Sequence, residues 1–190
     1  MNRPQAIQTV VASLHGDELL VAANGAISRE LYACSDRPGN FYLLGAMGLP
    51  GAVGLGLAMH RPERKILILD GDGNLLMGFG NLIQIGAVKP SNLSHLVLDN
   101  GCYATTGEQP SLAPQVDICQ AALACGYAHA LELKRKEDLK MALEQMANWP
   151  GPHLLRIRID RRAAPPAVPA PRIPYPAVEI KKRFLQAVNG

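Results

Sequence analysis

Two short polar clusters break an otherwise apolar pattern, and their residue types suit a divalent cation held beside a phosphate. The first, Gly71–Asp72–Gly73–Asn74, follows the apolar run KILILD at residues 65–70. The second, Asp99–Asn100–Gly101, comes about two dozen residues later, at the end of SHLVLD at residues 94–99. Asp72 offers a carboxylate and Asn100 an amide oxygen. With a backbone carbonyl and diphosphate oxygens these make an oxygen cage for Mg²⁺, which takes few protein ligands and draws the rest from phosphate and water. Gly71 and Gly73 permit a tight turn into a helix and let backbone N–H groups approach an anion there. Either cluster alone reads as a turn. Together, each ending a buried strand, they read as one site.

The elements that must position these clusters alternate between strand and helix. Helices are expected over residues 4–14, 25–34, 48–60, 75–87, 115–125 and 136–147. Strands are expected over residues 19–22, 40–44, 65–70, 94–99, 128–133 and 153–159. KILILD and SHLVLD are continuous apolar runs, typical of strands covered on both faces. The alternation predicts an α/β fold, a doubly wound and mostly parallel sheet with ligands at the carboxyl ends of its strands. One domain is expected over residues 1–160. Residues 161–190 read as a Pro-rich extended strap, with prolines at 165, 166, 169, 171, 174 and 176, leading to an amphipathic helix over 178–188.

Composition excludes several classes. At 48% hydrophobic and 18% charged, the 190 residues fit a soluble globular domain. A formal net charge of +3 with dispersed Lys and Arg gives no nucleic-acid footprint; the run Lys181–Lys182–Arg183 reads as a solvated helix face. The four cysteines, at 34, 102, 119 and 125, show no metal or disulfide spacing and read as free thiols in a reducing compartment. The N-terminus carries no secretory pattern and no apolar run reaches membrane-spanning length, so a cytoplasmic location is expected. His15, His60, His95, His129 and His153 read as structural or exposed, without a carboxylate motif beside them.

The two clusters together resemble the signature of thiamine diphosphate enzymes, which reads GDG, then about two dozen residues, then NN. That resemblance implies Asp72 and Asn100 as side-chain metal ligands, the Cys102 main-chain carbonyl as a third, and Asn74 as a hydrogen-bonding partner of the diphosphate. Asp99 departs from the first Asn of the pair. The block Asn40–Ala58, NFYLLGAMGLPGAVGLGLA, is similar to the strand end that holds the aminopyrimidine ring. There the Gly45 carbonyl is implied to accept from the 4′-amino group, and Met47 to bend the cofactor; alone, Met47 reads as core. Tyr103 and Thr105, after the metal loop, join the cofactor-binding candidates, although Thr105 and Thr106 equally fit a solvated turn.

The resemblance narrows further through SRELY (28–32), DRPGNFYLLGAMGLPGAVGLGLA (36–58), LDGDGNLLMGFGNL (69–82), LDNGCYATTGEQPS (98–111) and RIPYPAVEIKKRFLQAV (172–188). These are similar to the sulfopyruvate and phosphonopyruvate decarboxylase family, the last segment to its separate beta subunit. Ala46, Asn74 and Pro50–Gly51 depart from that family's usual residues. The implied activity is decarboxylation of a short anionic 2-oxoacid to an aldehyde, with thiamine diphosphate and Mg²⁺ as cofactors. Arg29 is a candidate to meet the acidic substrate or, alternatively, an ion-pair partner near Glu30. Thiamine chemistry also needs a glutamate at the pyrimidine ring, which the resemblance assigns to a pyrimidine-binding domain; that domain is expected on a separate partner subunit, giving a hetero-oligomer. Carboligation, a 2-oxoacid oxidoreductase component, and a scaffold subunit that retains the fold remain as alternatives.

Overall fold

The computed structural model describes residues 1–160 and 170–190. The segment expected to form the strap therefore lies outside the described residues as far as 169. In chain order the elements are α1 (Arg3–Ala12), β1 (Leu19–Ala22), α2 (Ala26–Cys34), β2 (Asn40–Tyr42), α3 (Pro50–His60) and β3 (Ile66–Gly71). There follow α4 (Asp72–Met77), α5 (Gly80–Val88), β4 (Leu93–Asp99), β5 (Cys102–Tyr103) and β6 (Gln109–Pro110). A 3₁₀ turn at Ala113–Gln115 leads to α6 (Ile118–Cys125), β7 (His129–Leu133), α7 (Lys136–Met146), β8 (His153–Arg158) and α8 (Ala177–Asn189).

Six strands form one sheet in the order β2-β1-β3-β4-β8-β7, and every pairing is parallel. Parallel strands need crossovers, and the helices between them cover both faces. Alternate residues of β3 show this directly. Leu67 and Leu69 join one core with Ala6, Ile7, Leu31 and Leu139 from α1, α2 and α7. Ile66 and Ile68 join the other, with Leu55, Leu82, Ile85 and Ile118 from α3, α5 and α6. With both sides buried, the strand has no polar face, which is why its sequence is a continuous apolar run rather than an alternation. The chain leaves β1 for β2 on one side and for β3 on the other, so the direction of winding reverses between β1 and β3. That reversal opens a crevice at the carboxyl ends of these strands.

Local signals fix the element ends. Asn2 caps α1 by accepting from the Gln5 amide at 2.9 Å, and the Gln5 side chain returns the bond to the Asn2 amide at 3.0 Å. The C-terminal helix α8 lays Phe184 against Phe41 of edge strand β2, ring centroids 5.0 Å apart, and so covers an edge that would otherwise be open. The helix expected over 75–87 is instead two: α4 starts directly at Asp72, and the chain breaks at Gly78–Phe79 before α5. The small antiparallel pair β5–β6 was not foreseen. No helix among the described residues is long and apolar enough to cross a membrane, and none of the four cysteines is in a disulfide.

At the opposite, amino end of the sheet, His153 opens β8 as a buried residue. It stacks on His129 with ring centroids 5.4 Å apart, its Nδ1 lies 3.3 Å from the Ser94 hydroxyl, and its buried Nε2 has no hydrogen-bond partner among the described residues. Burial, with the charge of His129 adding to it, lowers its pKa from 6.5 to about 4. Between these values the unfolded chain binds more protons than the folded one. Stability therefore falls as pH drops from 6.5 toward 4, by up to roughly 3 kcal/mol for a shift of this size. Urea unfolding across this range is expected to show that slope in the wild type and a flatter one in His153→Leu.

Candidate cofactor and metal site

The carboxyl ends of β3 and β4 lie side by side, with Gly71 in register with Leu98, so Asp72 and Asp99 emerge as neighbours. Asp72 is only 2% exposed, and the Ser111 hydroxyl donates to its Oδ2. Burial pushes its carboxyl above the ordinary range; the Ser111 hydrogen bond opposes this, and the charge of Asp99 adds to it. Among the described residues no Arg, Lys or His forms an ion pair with Asp72. A buried carboxylate without a cationic partner is costly in water's absence. A bound cation removes that cost, so the donor set at this point fits a metal.

Ser111 reaches Asp72 across 39 positions because the chain folds back on itself after β4. Gly101, at φ 68°, turns the chain; its amide bonds Asp99 Oδ1 at 3.0 Å and its carbonyl accepts from the Ser111 amide at 2.9 Å. Cys102 and Tyr103 then pair with Pro110 and Gln109. The Asn100 side-chain oxygen accepts from the Cys102 amide at 3.2 Å, which places the Asn100 amide group and the Cys102 backbone in one turn. Ser111 gave no signal in the sequence: it lies 39 residues from its partner, and only the return hairpin brings them together.

Asp99 has a different task from the asparagine of the signature. It is fully buried and accepts from Arg156 Nε at 2.7 Å and Arg158 Nη1 at 2.5 Å. Arg156 in turn donates to the carbonyls of Ala113, at 2.9 Å, and Val116, at 3.3 Å. The ion pair thus ties β4 and β8 to the turn that follows Ser111. The acid at position 99 is explained by these two arginines on the neighbouring strand.

Gly73 is glycine for packing. A Cβ there would stand 2.3 Å from Tyr103 Cε1, so the tyrosine ring packs on that side of the turn. Asn74 also differs from expectation. Its side chain is 5% exposed; its Nδ2 donates to Asp70 Oδ1, and its Oδ1 accepts from the Gly48 amide at 2.5 Å. The amide engages the protein at both ends, so it ties the turn to the loop after β2 instead of reaching outward to a diphosphate.

That loop carries Gly45 and Met47. Gly45 is exposed with open space on its Cα, Met47 is half-buried, and Ala46 and Gly48 both take positive φ, 54° and 89°. The Gly48 carbonyl accepts from Asn81 Nδ2 at 2.9 Å. A Cβ at Gly78 would lie 2.0 Å from that same carbonyl, which explains the break between α4 and α5: the loop packs against bare backbone there. Thr105 lies on the first turn after β1, its Cγ2 3.4 Å from where a Gly25 Cβ would be, whereas Thr106 bonds Gln109 within its own hairpin at 3.0 Å. Arg29 is half-buried on α2, and among the described residues its side chain makes no hydrogen bond or ion pair; Glu30 takes Arg3 instead, at 2.6 Å. The structure thus gathers Asp72, Asn100, Cys102 and Tyr103 around one turn and clamps the Gly45–Gly48 loop to Asn74. Among the described residues, no side-chain hydrogen bond or ion pair joins Arg29 to either group.

His95 corrects the sequence reading of the histidines. It lies within β4, 1% exposed, with Nε2 3.0 Å from Asp70 Oδ2 and Nδ1 3.3 Å from the Tyr127 hydroxyl. Its partner carboxylate lies on the adjacent strand, at a distance of 25 residues. A histidine inside an apolar run needs such a partner, and that was the available signal.

Residues 24–157 match the family described as thiamine pyrophosphate enzyme, C-terminal TPP binding domain, and the chain belongs to that family. It is 41% identical over 187 residues to the phosphonopyruvate decarboxylase of Streptomyces viridochromogenes, covering 96% of this chain and 45% of that protein. The chain thus spans about half the length of that relative. It is 37% identical over 190 residues to sulfopyruvate decarboxylase subunit beta of Methanothermobacter thermautotrophicus, covering all of this chain and 97% of that subunit. Among solved structures, benzoylformate decarboxylase from Polynucleobacter necessarius superposes with a TM-score of 0.71 at 18% identity, over 87% of this chain and 34% of that one, a likeness of fold.

Asp99→Asn keeps the shape but removes the buried anion that Arg156 and Arg158 share, leaving Arg156 only the more exposed Glu132 at 3.4 Å. Chemical denaturation is expected to show a loss of about 3 kcal/mol, typical of breaking a buried pair from one side.

Proposed function

We propose that this chain is the diphosphate- and Mg²⁺-binding subunit of a two-component thiamine diphosphate-dependent decarboxylase acting on a short anionic 2-oxoacid, of the sulfopyruvate or phosphonopyruvate kind. The observation that carries the reading is Asp72: a buried carboxylate, without a cationic partner among the described residues, beside Asn100 at the carboxyl ends of the paired strands β3 and β4. The full-length similarity to a protein named as a decarboxylase beta subunit supports it.

On this reading Asp72, the Asn100 side chain and the Cys102 carbonyl hold Mg²⁺, and Ser111 orients the Asp72 carboxylate. The Gly45 carbonyl and the Met47 side chain receive the aminopyrimidine end of the cofactor. Tyr103, packed on Gly73, and Thr105 close the diphosphate side. Arg29 is assigned to the substrate's charged group, because a half-buried guanidinium without a protein anion suits an anionic ligand. Bound here, thiamine diphosphate supplies the electron sink that decarboxylation of a 2-oxoacid requires.

The partner is a pyrimidine-binding subunit that supplies the activating glutamate. Its docking is supported by the rim of the site, where large apolar side chains face outward. Leu44 and Leu49 flank the Gly45–Gly48 loop at 52% and 49% exposure. Met77, 64% exposed, lies against Gly48, and Leu112, 62% exposed, follows Ser111. Apolar groups gathered at the mouth of a polar site mark a surface that another protein covers.

Calorimetry of the chain with its partner is expected to show thiamine diphosphate binding that requires Mg²⁺ and disappears in Asp72→Ala. Binding indifferent to Mg²⁺, or undiminished in the variant, would overturn the assignment. Met77→Asp or Leu112→Asp is expected to weaken assembly with the partner by about tenfold or more, roughly 1.4 kcal/mol, in sedimentation or titration experiments. Unchanged assembly in both variants would remove the rim from the interface.

A further inference from the structure

We infer that His95 is a positioning residue for the loop that carries Gly45 and Met47, acting through Asp70 and Asn74 without touching any ligand. The placement is the structure's own; its bearing on cofactor binding rests on the function proposed above.

The two ends of an asparagine amide are nearly the same size and opposite in hydrogen-bonding character. Asn74 holds the Gly48 amide only with its oxygen turned toward it; the flipped amide would set N–H against N–H. What fixes its sense is Asp70, which takes the Nδ2 end on Oδ1. Asp70 must therefore hold an acceptor oxygen in place toward Asn74 while 2% exposed. Three donors make that possible: the Gly71 amide at 2.8 Å, Asn74 Nδ2, and His95 Nε2 at 3.0 Å on the other oxygen. Because an ionised carboxylate only accepts, His95 carries its proton on Nε2. Its Nδ1 faces the Tyr127 hydroxyl at 3.3 Å. Burial and the charge of Asp70 push the Tyr127 phenol up, so its proton remains in place.

A single line of bonds thus runs from Tyr127 through His95 on β4, Asp70 on β3 and Asn74 on α4 to Gly48. At Gly48 the line ends on the amide of a residue whose carbonyl, in the next peptide, accepts from Asn81. The preceding Ala46 takes φ 54°, which a non-glycine residue holds only when its surroundings impose it. Without His95, Asp70 Oδ2 is left buried without its donor, the carboxylate is no longer held from that side, and its grip on the Nδ2 end of Asn74 loosens.

Amide hydrogen exchange by NMR, on the full chain without cofactor, tests the relay itself. His95→Leu is expected to raise exchange at the Gly48 amide about tenfold or more, while Leu19 and Leu20 in β1 keep their protection. His95→Gln, which retains an N–H donor toward Asp70, restores Gly48, and Tyr127→Phe moves it in the same direction as His95→Leu by a smaller factor. Unchanged Gly48 exchange in both His95→Leu and Tyr127→Phe overturns the inference. So does a rise shared by Leu19 and Leu20, or failure of His95→Gln to restore protection. With the partner and Mg²⁺ present, His95→Leu is expected to weaken thiamine diphosphate binding about tenfold while inorganic pyrophosphate binds as in the wild type. Equal loss for both ligands overturns the link to the Gly45–Met47 loop. If wild type binds neither ligand, the cofactor reading fails and the Gly48 result still decides the relay.

Discussion

An ionised carboxylate taken out of water must be met by a proton, a cation or several hydrogen-bond donors, and this sheet buries three of them within the ends of two adjacent strands. Asp70, Asp72 and Asp99 are each no more than 2% exposed. Asp99 is met by two arginines from β8, and Asp70 by a histidine, an amide and a backbone N–H. Asp72 receives the Ser111 hydroxyl, with the charge of Asp99 pressing against it. Asp70 and Asp99 have their protein partners, and Asp72 is the one of the three without a cationic partner among the described residues. Electrostatics therefore sorts three similar residues into two structural roles and one ligand-binding role, by neighbours alone.

Parallel pairing makes this arrangement possible. In a parallel sheet all the strands end on the same side, so Asp70, Asp72, Asp99 and the loop after β2 converge on one edge although they are far apart in sequence. The covering helices bury the strands on both faces, which is what withholds water from the acids. The same geometry leaves Leu44, Leu49, Met77 and Leu112 outside, around the mouth.

Much of this was legible in the sequence because it depends on local chemistry. The apolar runs, the glycine turns at 71–74 and 99–101 and the strand–helix alternation placed the sheet and the Asp72–Asn100 pair. What escaped depends on pairing between distant segments. Ser111 reaches Asp72 only through a hairpin of two-residue strands, too short to show a period. Asp99 read as a departure from a signature, because Arg156 and Arg158 become its neighbours only when β8 is laid beside β4. The split at Gly78 read as one continuous helix, since its cause is the backbone of Gly48 pressing from another loop. Nothing local signalled that the Tyr103 ring packs on Gly73 or that the Asn74 side chain holds a second loop.

The break between α4 and α5 has a consequence for how this molecule can change over time. Gly48 and Gly78 are in backbone contact, Asn81 and Asn74 grip Gly48 from opposite sides, and Asn74 takes its sense from Asp70. No one of these positions can be exchanged without a mismatch at the next. A shorter side chain at 74 would let go of the loop, and a methyl group at 78 would push it away. The five positions therefore depend on one another, and the loop between β2 and α3, although on the surface, is held by contacts as specific as those of the core beneath it.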